Sequence, residues 1–264
     1  MPPSAPISAA LAIGSLPGDA RAAFDLAAEA RYHAIAFSTN HAELAPDRLD
    51  QSARRHLKSV LAGKRLTIDS LHASGGGAEG RTGLTDPATV DRTLDSARKA
   101  FLLARDLGIS TLSLHIGPLS QSKLPESTII SALRELSQQA DASGLTLALS
   151  ADTILPLRAL LKHVDYDRAK INLDAARLIA AGEDPLRSAE DLAGSIAQFT
   201  AADAIRAGNT LRAAPLGQGQ LPLRQFLSLL HEQGFHGPLV VDPRNLTDPA
   251  AAARDAADLL RNLL

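Results

Sequence analysis

The chain of 264 residues has no cysteine, no tryptophan and one methionine, and aromatic residues make up only 3%. Without cysteine there is no disulfide framework, no thiolate nucleophile and no cysteine-held iron–sulfur cluster. The scarcity of rings removes the stacking platform that single-stranded nucleic acid needs. Neither sign of charge dominates: 27 Lys+Arg stand against 29 Asp+Glu, a formal net charge of -2, with no basic tract. No nucleic-acid partner is expected. No apolar run approaches the ~18 residues of a membrane span, so no membrane partner is expected either. The opening "MPPSAPISAALAIGSLPGDARAAF" lacks a basic n-region and reads as a poor signal peptide, which makes a cytoplasmic location the expectation.

What is present is a rhythm. Short apolar runs at 10–15, 33–38, 65–73, 110–117, 145–150, 169–174, 195–200 and 237–242 alternate with helical stretches. The helical stretches are 19–32, 44–63, 89–108, 126–144, 153–164, 178–195, 221–234 and 249–264. Strands alternating with helices predict a parallel sheet. Eight such pairs predict an α/β fold, a (β/α)8 TIM barrel, as one domain over 1–264. The rival, an open doubly wound sheet, would carry a glycine-rich phosphate loop after its first strand; "GSLPGDA" is no such fingerprint. The segment "SGGGAEGRTGLTDP" (74–87) is too rich in glycine to be regular.

Barrel chemistry gathers at the C-terminal ends of strands. There the sequence offers Ser38 and Asn40, Asp69 and His72, His115, Ser150 and Asp152, Asp174, Thr200 and Asp203, and Asp242. Such a set can bind a divalent metal or move protons. Plainer roles compete: Asp152 and Asp203 fit as caps of the helices expected after them. His33, His41, His56, His163, His231 and His236 fall on helices, in loops or at strand starts, and read as surface or packing residues. His115 differs, because it ends an apolar strand and meets Gly117-Pro118.

Four segments together carry a likeness: "DRTLDSARKAFLLARDLGISTLSLHIG" (91–117), "LREL…ASGLTLALS" (133–150), "INLDAARLIAAGEDP" (171–185) and "PLGQGQLPLRQFLSLLHEQGFHGPLVVD" (215–242). In this order the chain resembles the xylose-isomerase-like barrel superfamily, the group of sugar and sugar-phosphate isomerases and epimerases that includes endonuclease IV. The resemblance implies a divalent metal (Mn, Zn, Co or Mg) held by strand-end acids and histidines. It also implies a small polyhydroxylated or phosphorylated substrate.

The departures bear on both. Ser150 stands where the family usually has a metal-binding Glu, Arg177 where it has His after Asp174, and Thr200 where it has His three residues before Asp203. Asp242 replaces the last-strand Glu and is shorter by one methylene. Asp174, Asp242 and Asp152 remain as weak metal candidates, so the expectation is no metal or a weakly bound one. Arg177 offers an alternative: a guanidinium is a fixed cation that pairs bidentately with carboxylates, and it is expected to turn inward onto Asp174 or Asp242. Arg212 and Arg244 are candidates to hold an anionic substituent. The candidate catalytic set is His115, Asp174, Asp242, His72 and Arg177. It suits an isomerase or epimerase that moves a proton beside a carbonyl, with His115 or Asp242 as base. The alternative is a catalytically inactive barrel that binds a small ligand or a protein partner. A charged cluster locked into internal salt bridges would mark it. Too few ligands are in place for a multi-metal nuclease.

Overall fold

The computed structural model describes residues 7, 9–74, 83–164, 166–208 and 210–264; most of the glycine-rich segment expected at 74–87 therefore lies outside the described residues. Eight parallel strands form a closed barrel, and an antiparallel pair stands apart from it. In chain order the strands are β1 (Ala9–Ala12), β2 (Ala34–Ser38), β3 (Thr67–Ala73), β4 (Thr111–His115), β5 (Thr146–Ser150), β6 (Ala169–Asp174), β7 (Ile196–Ala201), β8 (Asp203–Ala207), β9 (Thr210–Ala214) and β10 (Leu239–Val241). The barrel order is β1-β10-β7-β6-β5-β4-β3-β2, and β8 pairs with β9. The helices are α1 (Ala20–Glu29), α2 (Gln51–Gly63), α3 (Val90–Leu107), α4 (Glu126–Ala142), α5 (Ile154–Leu161), α6 (Ala175–Ala181), α7 (Pro185–Asp191), α8 (Leu223–Glu232) and α9 (Pro249–Arg261). Among the described residues no helix is long and apolar enough to cross a membrane. Two compact units partition the chain: Met1–Ala36, Ser59–Asp69 and Leu173–Leu264, and Phe37–Lys58 with Ser70–Asn172.

In the first unit, register sorts the side chains by size. Ala10 pairs with Ala34 and with Val240, and Val240 with Thr200. Partners in register share a face. Ala10, Ala34, Ala36 and Val240 accordingly pack as one cluster of small residues. The opposite face carries Leu11, Ile35, Leu239 and Phe199, all buried, and Phe199 stacks on Phe226 of α8 at 4.3 Å between centroids. Helix α8 buries Leu223, Phe226, Leu227 and Leu230, the i, i+3, i+4, i+7 stripe of an amphipathic helix. Its neighbour α9 starts where Asp248 accepts the Ala251 N–H at 2.9 Å and Pro249 takes the first helical position.

In the second unit, the register of β3, β4, β5 and β6 aligns His72 with Ser113, Ser113 with Ala148, Ala148 with Lys170, and His115 with Ser150. One face of these strands is thus polar, while Leu71, Leu112, Leu114, Leu147, Leu149 and Ile171 are buried on the other. Helix α3 ends at Gly108, which adopts φ 76° and donates its N–H to Ala104 and Arg105.

Three expectations about elements change. Residues 44–50 are not helical: α2 begins at Gln51, where the Asp50 carboxylate accepts the Ala53 N–H at 2.7 Å and sets the start. The helical stretch 178–195 belongs to two short helices, α6 and α7, broken by Gly182 at φ 80° and restarted by the Asp184 cap with Pro185. The third is the hairpin β8–β9, where a helix capped by Asp203 was expected; its register runs from Asp203↔Ala214 to Ala207↔Thr210.

Candidate active site

Asp174 is the last residue of β6 and the N-cap of α6, accepting the Arg177 N–H at 3.2 Å. Its side chain is 6% exposed. A carboxylate so buried needs strong donors, and Arg244 supplies them: Nη2 donates to both Asp174 oxygens at 2.6 Å. Arg177 Nε lies 3.3 Å from Oδ2. Asp242 follows β10 directly. Its Oδ1 accepts the Ser15 hydroxyl at 2.7 Å and the Arg244 N–H at 3.1 Å, and its Oδ2 accepts Arg244 Nη1 at 3.0 Å. One guanidinium therefore bridges the two acids at the strand ends.

The titration behaviour follows from this. Burial raises the Asp174 carboxyl, but the charges of Arg244 and then Arg177 and their hydrogen bonds outweigh it, and the net shift is downward. Burial lowers the Arg244 guanidinium, and Asp174 and Asp242 together more than reverse that. Burial also lowers Arg177; Asp174 opposes it, while the positive charge of Arg244 reinforces it. Arg244 is the principal counter-ion, and Arg177 is the second.

Arg177 does turn onto Asp174 as expected. The bridging position belongs to Arg244 instead, a residue expected only to hold an anionic substituent. The signal was in "VVDPRN": a turn at Pro243 after the strand-end Asp returns Arg244 over the same carboxylate. Arg212, its companion in that expectation, is exposed on β9 opposite Ile205 and does not join the cluster.

In the second unit, His115 is buried at the end of β4, with Nδ1 3.3 Å from the Ser150 hydroxyl. His72 Nδ1 lies 3.1 Å from the Ser113 hydroxyl. Both pairs are register partners, so the strand pairing itself aims each ring at the next strand. Asp152 does not cap α5. It accepts the Leu119 N–H at 2.9 Å and the Ser120 hydroxyl at 3.1 Å, tying down the segment after β4. The N-cap position of α5 is Thr153, which makes no side-chain cap bond. Asp69 is the third residue of β3 and not at its C-terminal end; burial raises its carboxyl, with the Thr67 hydroxyl opposing.

Asp203, 4% exposed, holds a loop of its own unit. Oδ1 accepts the N–H groups of Ala204 (2.8 Å) and Leu221 (3.0 Å), and Oδ2 those of Gly217 (3.0 Å) and Gly219 (2.9 Å). Four backbone donors satisfy the carboxylate without a cation. A Cβ on Gly219 would collide with Asp203 Oδ1, and Gly217 adopts φ 81°, so each glycine of the Gly-x-Gly has its own reason.

The divalent ion implied by the resemblance does not fit these residues. A hard cation needs open carboxylate lone pairs, yet all four oxygens of Asp174 and Asp242 already accept hydrogen bonds, three of those oxygens from the Arg244 guanidinium. Among the described residues no group of three or more His, Asp or Glu side chains is placed to hold a metal ion.

Residues 24–263 match the family described as xylose isomerase-like TIM barrel. A 3-dehydroshikimate dehydratase of Pseudomonas putida is 26% identical over 191 residues, which cover 66% of this chain and 30% of that protein. The chain thus spans less than a third of that relative's length. The xylose isomerase domain protein of Planctomyces limnophilus superposes with a TM-score of 0.82 at 20% identity, over 99% of this chain and 96% of that one. A xylose isomerase-like TIM barrel protein of Mycobacterium smegmatis, solved in complex with magnesium, superposes with a TM-score of 0.78 at 17% identity, over 97% and 96%. At these identities the structures speak for the fold alone, while the match over 24–263 goes further: the chain belongs to the xylose isomerase-like TIM barrel family.

Proposed function

We propose that this chain is a single-domain barrel that binds a small polyhydroxylated or phosphorylated compound at its strand ends without a tightly held divalent cation. The observation that carries the reading is the Asp174–Arg244–Asp242 bridge, a charged cluster locked into internal ion pairs. Membership of the family supports a small-molecule ligand, and one relative is by name a dehydratase of 3-dehydroshikimate. Chemically, the cluster suits such a compound. Its guanidinium edges attract a carboxylate or phosphate and can donate to sugar hydroxyls. Calorimetry against a panel of ketoses, sugar phosphates and polyhydroxylated carboxylates, run in EDTA, tests it. A ligand that binds in EDTA and is lost in Asp174→Asn supports the reading. Binding that requires added Mn²⁺ overturns it.

A second reading is favoured by His115, buried at a strand end with its ring oriented by Ser150. Here His115 takes a proton from the carbon beside a carbonyl, and the electron pair moves onto the oxygen. The proton then returns to the same carbon or its neighbour. Incubation with the bound ligand in D₂O separates the readings. Deuterium entering beside the carbonyl, and lost in His115→Asn, shows turnover. A ligand recovered without deuterium leaves a binding protein.

A further inference from the structure

The disagreement between the family's implied cation and this site has one identifiable source. Asp174 and Asp242 present two carboxylates, and the Ser15 hydroxyl adds a third oxygen group against Asp242 at 2.7 Å. An all-oxygen set of this kind is the chemistry of Mg²⁺ or Mn²⁺. What stands among those oxygens is the Arg244 guanidinium, within 2.6 Å of both Asp174 oxygens and 3.0 Å of Asp242 Oδ2. It is held there by its own backbone, since the Arg244 N–H also donates to Asp242 Oδ1. An arginine placed in this way stays charged at every accessible pH and cannot dissociate.

We propose that Arg244 is a tethered replacement for a divalent cation: guanidinium and metal are alternative occupants of one pair of carboxylates, and the arginine keeps the site closed to metal. Two consequences follow. The site assembles with the chain alone, with no metal step in folding. Removal of the Arg244 side chain should open a hard-metal site that the native protein lacks. The inference rests on the reading of the site as metal-independent, but its test uses Mn²⁺ alone and no organic ligand, so a failed ligand screen and a failed metal experiment are separate results.

The experiment compares the wild-type chain with Arg244→Ala and Arg244→Gln. Free Mn²⁺ is counted by electron paramagnetic resonance, and thermal midpoints are read in EDTA and in excess Mn²⁺. The wild type should leave the Mn²⁺ signal and its midpoint unchanged. The variants should melt lower in EDTA, recover part of the loss in Mn²⁺, and bind one ion at least about a hundredfold tighter than the wild type, the order that a full charge a few ångströms away carries at intermediate dielectric. Adding Asp174→Asn to Arg244→Ala should abolish the recovery. A variant that folds only when Mn²⁺ is present supports the proposal as well. Wild type and variants binding Mn²⁺ equally, folded variants that ignore it, or variants that fail to fold even with it would each overturn the proposal.

Discussion

Arg244 and Arg177 approach the same carboxylate unequally. Arg244 makes bonds of 2.6 Å to both oxygens of Asp174 and reaches Asp242 as well, with its side chain 28% exposed. Arg177 touches Asp174 through Nε at 3.3 Å and is 37% exposed. Removing Arg244 strands two acids, one of them deeply buried, and Arg244→Ala is expected to cost about 3 kcal/mol. Arg177→Ala, which removes a longer and wetter contact, is expected to cost about 1 kcal/mol or less. Urea midpoints rank the two, and equal losses would contradict the assignment of Arg244 as the principal counter-ion. Acid tests the same carboxylate. Because its folded value lies below the unfolded value of about 3.9, its contribution is fully present above that value and is lost as pH falls through the lower one. The stability gap between wild type and Asp174→Asn should hold steady from about pH 7 down to about pH 4 and narrow only as melts are taken further into acid, below the unfolded value of about 3.9; a gap that closes well above that value would show that a depressed carboxylate is not what stabilises. Asp174, Asp242 and Arg177 were legible because each sits at, or three residues past, a strand end. Arg244 was visible as a cation near the last loop, but its partner lies 70 residues away in sequence. Local spacing cannot report a contact of that range.

The parallel strands and the long helices were legible from periodicity, since burial on one face repeats at 3.6 residues in α8 and nearly continuous apolar runs mark the barrel strands. The hairpin β8–β9 was not. "DAIRAGNTLRAA" is rich in alanine, a helix former, and it is the tertiary anchor at Asp203 that settles the matter by engaging four backbone amides of its own unit. Asp203→Ala would leave those donors without their acceptor and is expected to cost about 3 kcal/mol. Hydrogen exchange should show it locally, with the amides of Gly217, Gly219 and Leu221 exchanging faster while α9 keeps its protection. Gly219→Ala should loosen the same amides by pushing the carboxylate aside. Phe199→Ala removes the ring that stacks on Phe226 between β7 and α8 and should cost about 3–5 kcal/mol, measured by the same urea series. An effect of Phe199→Ala below that of Arg177→Ala would mean that the helix is held by something other than this stack.

At the scale of the whole chain, the eightfold alternation carried the fold, because each strand and its crossover helix leave the same trace in sequence wherever they occur. The closure did not leave such a trace. It depends on residues at opposite ends of the chain: β1 lies against β10, the Ser15 hydroxyl meets Asp242, the Tyr32 hydroxyl donates to the Ala253 carbonyl at 2.7 Å, and Arg261 Nη1 donates to the Ala30 carbonyl at 2.8 Å. These contacts have a consequence for the protein as it is made. On the ribosome β1 and β2 emerge early, yet one flank of β1 has no partner until Leu239, Val240 and Val241 have left the exit tunnel. Contacts of such sequence separation form late and slowly. Nascent chains stalled at increasing lengths and exposed to a protease should therefore keep a cleavable segment around β1 until β10 has emerged, and resist there only afterwards; the first strand of the barrel to be synthesised is among the last of its strands to be secured.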